Sequence, residues 1–314
     1  MNAPPFAIEP DTQAYLQEFA RQAPRTQQSL QDLRDSYRSN LVAASAPFDP
    51  GVTVRPLAID GATGPIMGRL YSPDENDERG PLLIYVHGGG FAVGDLDSHD
   101  ALMRLIAASA GMKVMAFEYR LAPENPFPAA RDDVVAVYRW AVRESDPLGI
   151  DPSRIALGGE SAGAAHATSA ALRLTGPERP AAVWLMSPAL DATLSGSSYL
   201  AFSTGTGRTA DEFAYLWSLY VPDPALRATP DASPGLADPR GMPPLFIYTA
   251  EFDPARDDGE SFAARAQQAG VAVVLRRREG LIHQYPEITG VSAGSRLAVV
   301  EAARELAAHL KSAA

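Results

Sequence analysis

The chain has 314 residues, 46% of them hydrophobic, a formal net charge of -11 and no cysteine. A chain of this length buries about three quarters of its unfolded surface, enough for one large core, and the lack of thiols excludes disulfides and cysteine-ligated metals. The acidity argues against a nucleic-acid partner, which calls for a basic stripe. No apolar run reaches bilayer length and the first residues lack a basic segment followed by an apolar one, so no membrane association is expected and the expected location is the cytoplasm.

Residues 11–42 read as two amphipathic helices, with Tyr15, Leu16 and Phe19 on one face and then Leu30, Leu33, Tyr37 and Leu41 at three- and four-residue steps. Val52 to Ile59 and Pro65 to Tyr71 follow as an antiparallel strand pair. From there short apolar runs alternate with helical patterns. The runs are Leu82 to Val86, Lys113 to Tyr119, Arg154 to Leu157, Ala182 to Met186, Leu245 to Thr249 and Val271 to Arg276. Helices are expected near 98–110, 128–144, 161–174, 256–269 and 293–311. Strands alternating with helices imply crossovers, hence an α/β fold with a mostly parallel sheet of eight strands flanked by helices.

One interval breaks the rhythm. About sixty residues separate Met186 from Leu245, far more than a crossover loop needs. This insertion contains a helix, Ala210 to Tyr220, that presents Phe213, Leu216, Trp217 and Tyr220 on one face. The expected organisation is an N-terminal helical cap segment at 1–48, a core at 49–190 and 241–314, and a cap insertion at 191–240.

The segment Ile155-Ala-Leu-Gly-Gly-Glu160-Ser161-Ala-Gly163 joins a strand-like run to a G-x-S-x-G turn and an alanine-rich helix. Chance supplies roughly 0.1 such motif in a chain of this length, and this chain has two, the second being Gly290-Val-Ser292-Ala-Gly294. Ser292 follows Tyr285-Pro286-Glu287, which cannot be a central strand because proline removes a ladder donor. Ser292 is therefore read as a loop residue or helix N-cap, and Ser161 as the candidate nucleophile.

A serine hydroxyl attacks a carbonyl only if a neutral imidazole takes its proton and a carboxylate holds that imidazole in one tautomer. Of the five histidines, His166 lies on the same predicted helix as Ser161 and should point away, His309 belongs to the terminal helix, His99 to a first helical turn, and His87 braces the glycine run. His283, in a loop past the last strand, is the expected base. Asp253 sits at the carboxyl end of the Leu245 to Thr249 strand, where catalytic groups gather in open sheets, and is the expected acid. Asp257 and Asp258 read as helix caps and Glu251 as a brace for the turn.

Acyl transfer also needs donors for the tetrahedral oxyanion, and consecutive glycines let N–H groups approach it. Gly89, Gly90 and Ala162 are the expected donors, with Gly88 shaping the loop and kept as an alternative. Nothing matches a Walker-type phosphate loop, a dinucleotide fingerprint or an H-E-x-x-H zinc motif, so no metal is expected.

Taken together, His87-Gly-Gly-Gly-Phe91 with Gly94-Asp-Leu-Asp97, Tyr119-Arg-Leu-Ala-Pro-Glu124 with Pro126-Phe-Pro-Ala-Ala130, Gly159-Glu-Ser-Ala-Gly163, Asp253-Pro with Arg256-Asp-Asp-Gly259, and Ile282-His283 resemble the bacterial hormone-sensitive-lipase-like carboxylesterases of the α/β-hydrolase fold, over about residues 65–312. The resemblance implies a helical cap, no cofactor, and small-molecule esters of short or medium acyl chains as substrates. Departures are Glu160 for the common aspartate, Ala164 for glycine, Gln284 for glycine and Tyr285 for phenylalanine. The expected pocket residues are Phe91, Phe213, Trp217 and Tyr220, with Gln284 and Tyr285 on the alcohol side and Tyr15 and Phe19 contributing from the first helix. An amidase or lactonase with the same triad is the alternative activity, and a non-catalytic ligand-binding receptor the alternative class. Val271 to Leu275 is apolar and reads as the final strand, so its open edge, together with the resemblance, suggests a homodimer through it. Arg276, Arg277 and Arg278 could instead protect that edge.

Overall fold

The computed structural model describes residues 7–20, 27–47, 51–73 and 79–312. Part of the expected cap segment at 1–48 lies outside the described residues. The strands are β1 (Val52–Asp60), β2 (Pro65–Pro73), β3 (Gly80–Val86), β4 (Lys113–Phe117), β5 (Ile150–Glu160), β6 (Ala182–Met186), β7 (Leu245–Phe252) and β8 (Val273–Ile282). They form one sheet in the order β1-β2-β4-β3-β5-β6-β7-β8. β1 and β2 pair antiparallel, as does β2 with β4, and every later pairing is parallel.

The helices are α1 (Pro10–Phe19), α2 (Leu30–Ala44), α3 (Asp100–Ala110), α4 (Ala129–Arg143), α5 (Ser145–Leu148), α6 (Ala162–Arg173), α7 (Ser197–Ala201), α8 (Ala210–Tyr220), α9 (Pro224–Arg227), α10 (Arg256–Gln268) and α11 (Ala293–Ser312). Two hydrophobic cores follow from the period-two alternation of the central strands. Leu82, Ile84 and Val86 of β3 pack with Val134 and Val137 of α4, Ala167 of α6 and Phe262 of α10. Leu83 and Tyr85 pack on the opposite face with Met103 and Ile106 of α3 and Val299 and Leu306 of α11.

β8 departs from its expected end at Arg276. It continues to Ile282, pairing with β7 through Arg278 and again between Phe252 and Ile282. The backbone ladder carries it through three arginines because it is an edge strand whose side chains find partners on both faces. Arg276 and Arg278 reach Glu305 and Glu301 of α11, at 2.9 and 2.7 Å, and Arg277 reaches Glu260 of α10 at 2.8 Å.

The insertion is anchored by Asp257 and Asp258, and this corrects their reading as helix caps. Asp257 Oδ2 accepts from Ser197 Oγ and the Ser198 N–H, and Asp258 Oδ2 accepts from the N–H groups of Leu190 and Asp191 and from the Tyr199 hydroxyl. Burial pushes the Asp258 carboxyl well above the usual carboxylate range. The α2 helix docks through Arg34, which donates to the Ala92 carbonyl at 2.9 Å and to both carboxylate oxygens of Glu124. This contact ties α2 to the loop that follows β3.

Candidate active site

Four parallel strands deliver the site from their carboxyl ends. β3 runs into His87 to Phe91, β5 into Ser161, β7 into Asp253 and β8 into His283. Ser161 sits at φ 52°, ψ -119°, a left-handed conformation that costs a non-glycine residue about 1–3 kcal/mol. Hydrogen bonds hold it there: its N–H donates to the Met186 carbonyl at 3.1 Å, and its carbonyl accepts from Ala165 and Ala189, both at 3.3 Å. Gly163 makes the sharp turn sterically feasible, because a Cβ there would overlap the carbonyl oxygen of Val86.

His283 Nε2 lies 2.8 Å from Ser161 Oγ, and His283 Nδ1 lies 2.9 Å from each carboxylate oxygen of Asp253. All three side chains are buried, and Asp253 is fixed further by accepting the Ala255 N–H at 2.7 Å. Glu251 braces the turn as expected, accepting the Gly280 N–H at 2.8 Å.

The loop after β3 takes positive φ at Gly89 (116°), Gly90 (58°) and Phe91 (69°). The Gly89 and Gly90 N–H groups find no acceptor among the described residues, and Ala162 is the first residue of α6, where helix geometry leaves the N–H free. All three border the same cavity as Ser161 and His283. Gly88 does not share this property, because its N–H donates to Glu160 Oε1 at 2.6 Å. Glu160 also accepts from the Tyr85 hydroxyl and contacts His99 Nε2 at 2.8 Å. The residue preceding Ser161 thus ties the serine turn to the glycine loop. His99 sits at the N-cap of α3 yet makes no side-chain cap bond there. Burial disfavours its charge, but the Glu160 carboxylate outweighs this and raises the His99 pKa. Donor atoms of His99, Glu160 and Glu287 converge within 4.8 Å, where sequence motifs had pointed to no metal. Gly88 and Tyr85 donate to the Glu160 carboxylate of this cluster, and Tyr37 donates to Oε1 of Glu287.

The cavity is partly open to solvent and has two unlike walls. Phe91, Phe213 and Leu216 form an apolar one, and Tyr37, Arg208, Glu212 and Glu287 a polar one. Of the expected pocket residues, Phe91 and Phe213 lie on the wall. Trp217 and Tyr220 do not. They stand behind Phe91, with ring centroids 4.4 and 4.6 Å from its own, because the side of α8 facing the cavity is the one bearing Phe213 and Leu216. Gln284 is fully buried beneath Gly207, with a Cβ at Gly207 falling 3.0 Å from Gln284 Nε2, and Tyr285 is buried likewise, so neither lines the cavity. From the N-terminal helices it is Tyr37 of α2, rather than Tyr15 or Phe19 of α1, that reaches it. Arg208 and Glu287 had no motif to reveal them. Glu287 stands four residues after His283, in the same loop, which is the one local signal available.

The other serine and histidines take structural places. Ser292 caps α11, accepting the Ser295 N–H at 3.0 Å, and donates to Glu9. His309 packs on Phe246. His87 stacks on Tyr119 at 4.4 Å, and His166 is enclosed by the rings of Phe91, Tyr119 and Tyr220. Burial lowers the His166 pKa to about 3, and burial together with the neighbouring His99 lowers that of His87 to about 4. An unfolded histidine titrates near 6.5, so below that pH the unfolded chain binds more protons than the folded one. Stability therefore falls as the pH drops, by about 1.4 kcal/mol per pH unit for each such histidine, until the native groups protonate. His99 has the opposite sign: its contribution is complete below the unfolded value and is lost as the pH rises through its raised folded value. In urea unfolding between pH 6 and 4.5, His166→Phe is expected to reduce this acid loss by about 1.4 kcal/mol per pH unit. An unchanged slope would refute the assignment.

A family model for the alpha/beta hydrolase fold matches residues 83–287. The chain belongs to the alpha/beta hydrolase fold family. Within that family it is a hormone-sensitive-lipase-like carboxylic ester hydrolase of the serine hydrolase type. It is 38% identical over 268 residues to the carboxylic ester hydrolase LipN of Mycobacterium tuberculosis, covering 82% of this chain and 71% of that protein. It is also 33% identical to an ethyl acetate hydrolase of Pseudomonas putida, over 97% and 100% of the two chains. Among solved structures, a thermostable esterase from Pseudomonas putida superposes with a TM-score of 0.92 at 29% identity, over 98% of this chain and 99% of that one. A Pyrobaculum calidifontis esterase superposes with a TM-score of 0.87 at 32% identity, over 98% and 99%. No helix among the described residues of this esterase is long and apolar enough to cross a membrane.

Proposed function

We propose that the esterase hydrolyses short- to medium-chain carboxylic esters through an acyl-enzyme on Ser161. The observation that carries this reading is the unbroken hydrogen-bond chain from Asp253 through His283 to Ser161 Oγ at the cavity wall. His283 Nε2 takes the hydroxyl proton as Oγ bonds to the substrate carbonyl carbon, and the carbonyl electrons move onto oxygen. The N–H groups of Gly89, Gly90 and Ala162 receive that oxyanion. Collapse expels the alkoxide, which takes the proton from His283. A water then repeats the sequence in reverse order to free the acid and Ser161. No cofactor enters this scheme.

α2 and the 191–240 insertion act in this reading as a cap, since Tyr37, Phe213 and Leu216 supply cavity walls. Each CH₂ adds only about 0.8 kcal/mol of burial before a wall imposes a steric cost. With p-nitrophenyl esters of increasing length, kcat/KM is expected to peak at acyl chains of about two to six carbons. A maximum on emulsified long-chain triglycerides would refute this preference, and faster turnover of lactones or anilides would favour the alternative activities.

The same reading includes a homodimer through β8. Its outer edge carries no strand partner among the described residues, and its arginines are turned onto the glutamates of α10 and α11. Light scattering at micromolar concentration is expected to give twice the 33.4 kDa chain mass. A single-chain mass that stays constant on concentration would exclude the dimer and leave the chemistry untouched.

A further inference from the structure

The polar wall of the cavity exceeds what hydrolysis of a plain alkyl ester requires. Arg208 and Glu287 are both more than nine-tenths buried and both line the cavity. Tyr37 donates its hydroxyl to Glu287 Oε1 at 2.9 Å, while Glu287 Oε2 and Arg208 Nη1 have no hydrogen-bond partner among the described residues. Arg208 Nη2 forms an ion pair with Glu287 Oε2 at 3.9 Å, a separation beyond hydrogen-bonding range. The guanidinium lies over the Phe19 ring at 5.1 Å, which fixes its plane.

Resting on the reading of Ser161 as nucleophile, we propose that this wall selects esters bearing a hydroxyl group, which accepts from Arg208 and donates to Glu287. A buried donor and a buried acceptor, too far apart to satisfy each other, are both satisfied by one group that plays both roles. An alkyl substituent leaves both without a hydrogen bond. A carboxylate would face Glu287 and Glu212, and an ammonium, which has no acceptor, would leave Arg208 Nη1 without a hydrogen bond. Sites that hydrogen-bond a substrate hydroxyl reject the analogue lacking it far more strongly than apolar pockets reject a change in size.

The test compares ester pairs in which a hydroxyl replaces a methyl: 2-hydroxyethyl butanoate against propyl butanoate, and methyl 3-hydroxybutanoate against methyl 3-methylbutanoate. In at least one pair kcat/KM is expected to favour the hydroxyl ester by about ten-fold or more. Arg208→Met and Glu287→Gln should each reduce that ratio by at least about five-fold. Glu287→Gln retains an acceptor for Tyr37 and so guards against loss of folding as the explanation. Preference for the methyl analogue in both pairs overturns the proposal, as does a ratio untouched by both variants, or monomethyl succinate outpacing every hydroxyl ester. Hydrolysis that survives Ser161→Ala overturns the nucleophile reading and this inference together, whereas an inactive Ser161→Ala with no hydroxyl preference in the unaltered enzyme overturns this inference alone.

Discussion

Ser161→Ala is expected to lower kcat by about 10³-fold or more while KM changes little. Alanine retains the Cβ, so the strained backbone at φ 52° and the hydrogen bonds to Met186, Ala165 and Ala189 are unaltered, and only Oγ is lost. That oxygen is the atom 2.8 Å from His283 Nε2, and nothing else on the cavity wall offers a nucleophile in the same position. Residual turnover would come from the Gly89, Gly90 and Ala162 donors acting on a water-driven reaction. A fluorophosphonate followed by peptide mass spectrometry should label Ser161 in the unaltered chain and give no adduct in the variant. A label on Ser292, the second G-x-S-x-G serine, would overturn the assignment. The geometry gives Ser292 no imidazole partner, since its hydroxyl donates to Glu9 and accepts from Ser295.

Asp253→Asn is expected to reduce kcat by about 10⁴-fold, the loss that this change produces in a serine-protease triad. Asp253 Oδ1 accepts the Ala255 N–H, so the amide oxygen of an asparagine is held at that end and its NH₂ takes the place of Oδ2, both positions lying 2.9 Å from His283 Nδ1. The neutral amide no longer compensates the imidazolium that forms on proton transfer, and its NH₂ favours the tautomer with the proton on Nε2, which then faces Ser161 Oγ and cannot accept from it. Asp258→Asn serves as the contrast. Its carboxylate is spent on Leu190, Asp191 and Tyr199, so the variant should affect stability and the seating of the insertion before it affects the proton transfer. Loss of turnover in Asp258→Asn with wild-type turnover in Asp253→Asn would reverse these roles. The measurements are kcat for each variant and its urea midpoint.

Much of this arrangement was legible in the sequence because it is local. Ser161, Asp253 and His283 lie four, four and seven residues past the strand-like apolar runs that end at Leu157, Thr249 and Arg276, and strands in a parallel sheet present those ends at one edge. The eight-stranded alternation, the helix at 210–220 and the capping role of Ser292 follow in the same way, from period and from turn chemistry within a few residues. Tertiary structure alone decided which side chains line the cavity. Successive helix positions point about 100° apart, so the same α8 stripe can turn either Trp217 and Tyr220 or Phe213 and Leu216 toward Ser161. That rotation is set by distant contacts: Asp257 and Asp258 holding the start of the insertion, and Phe91 wedged against Trp217 and Tyr220. Tyr37, Arg208 and Glu287 meet for the same reason. They come from three segments joined only in the folded chain, and no period or motif in one segment encodes its distance from the others.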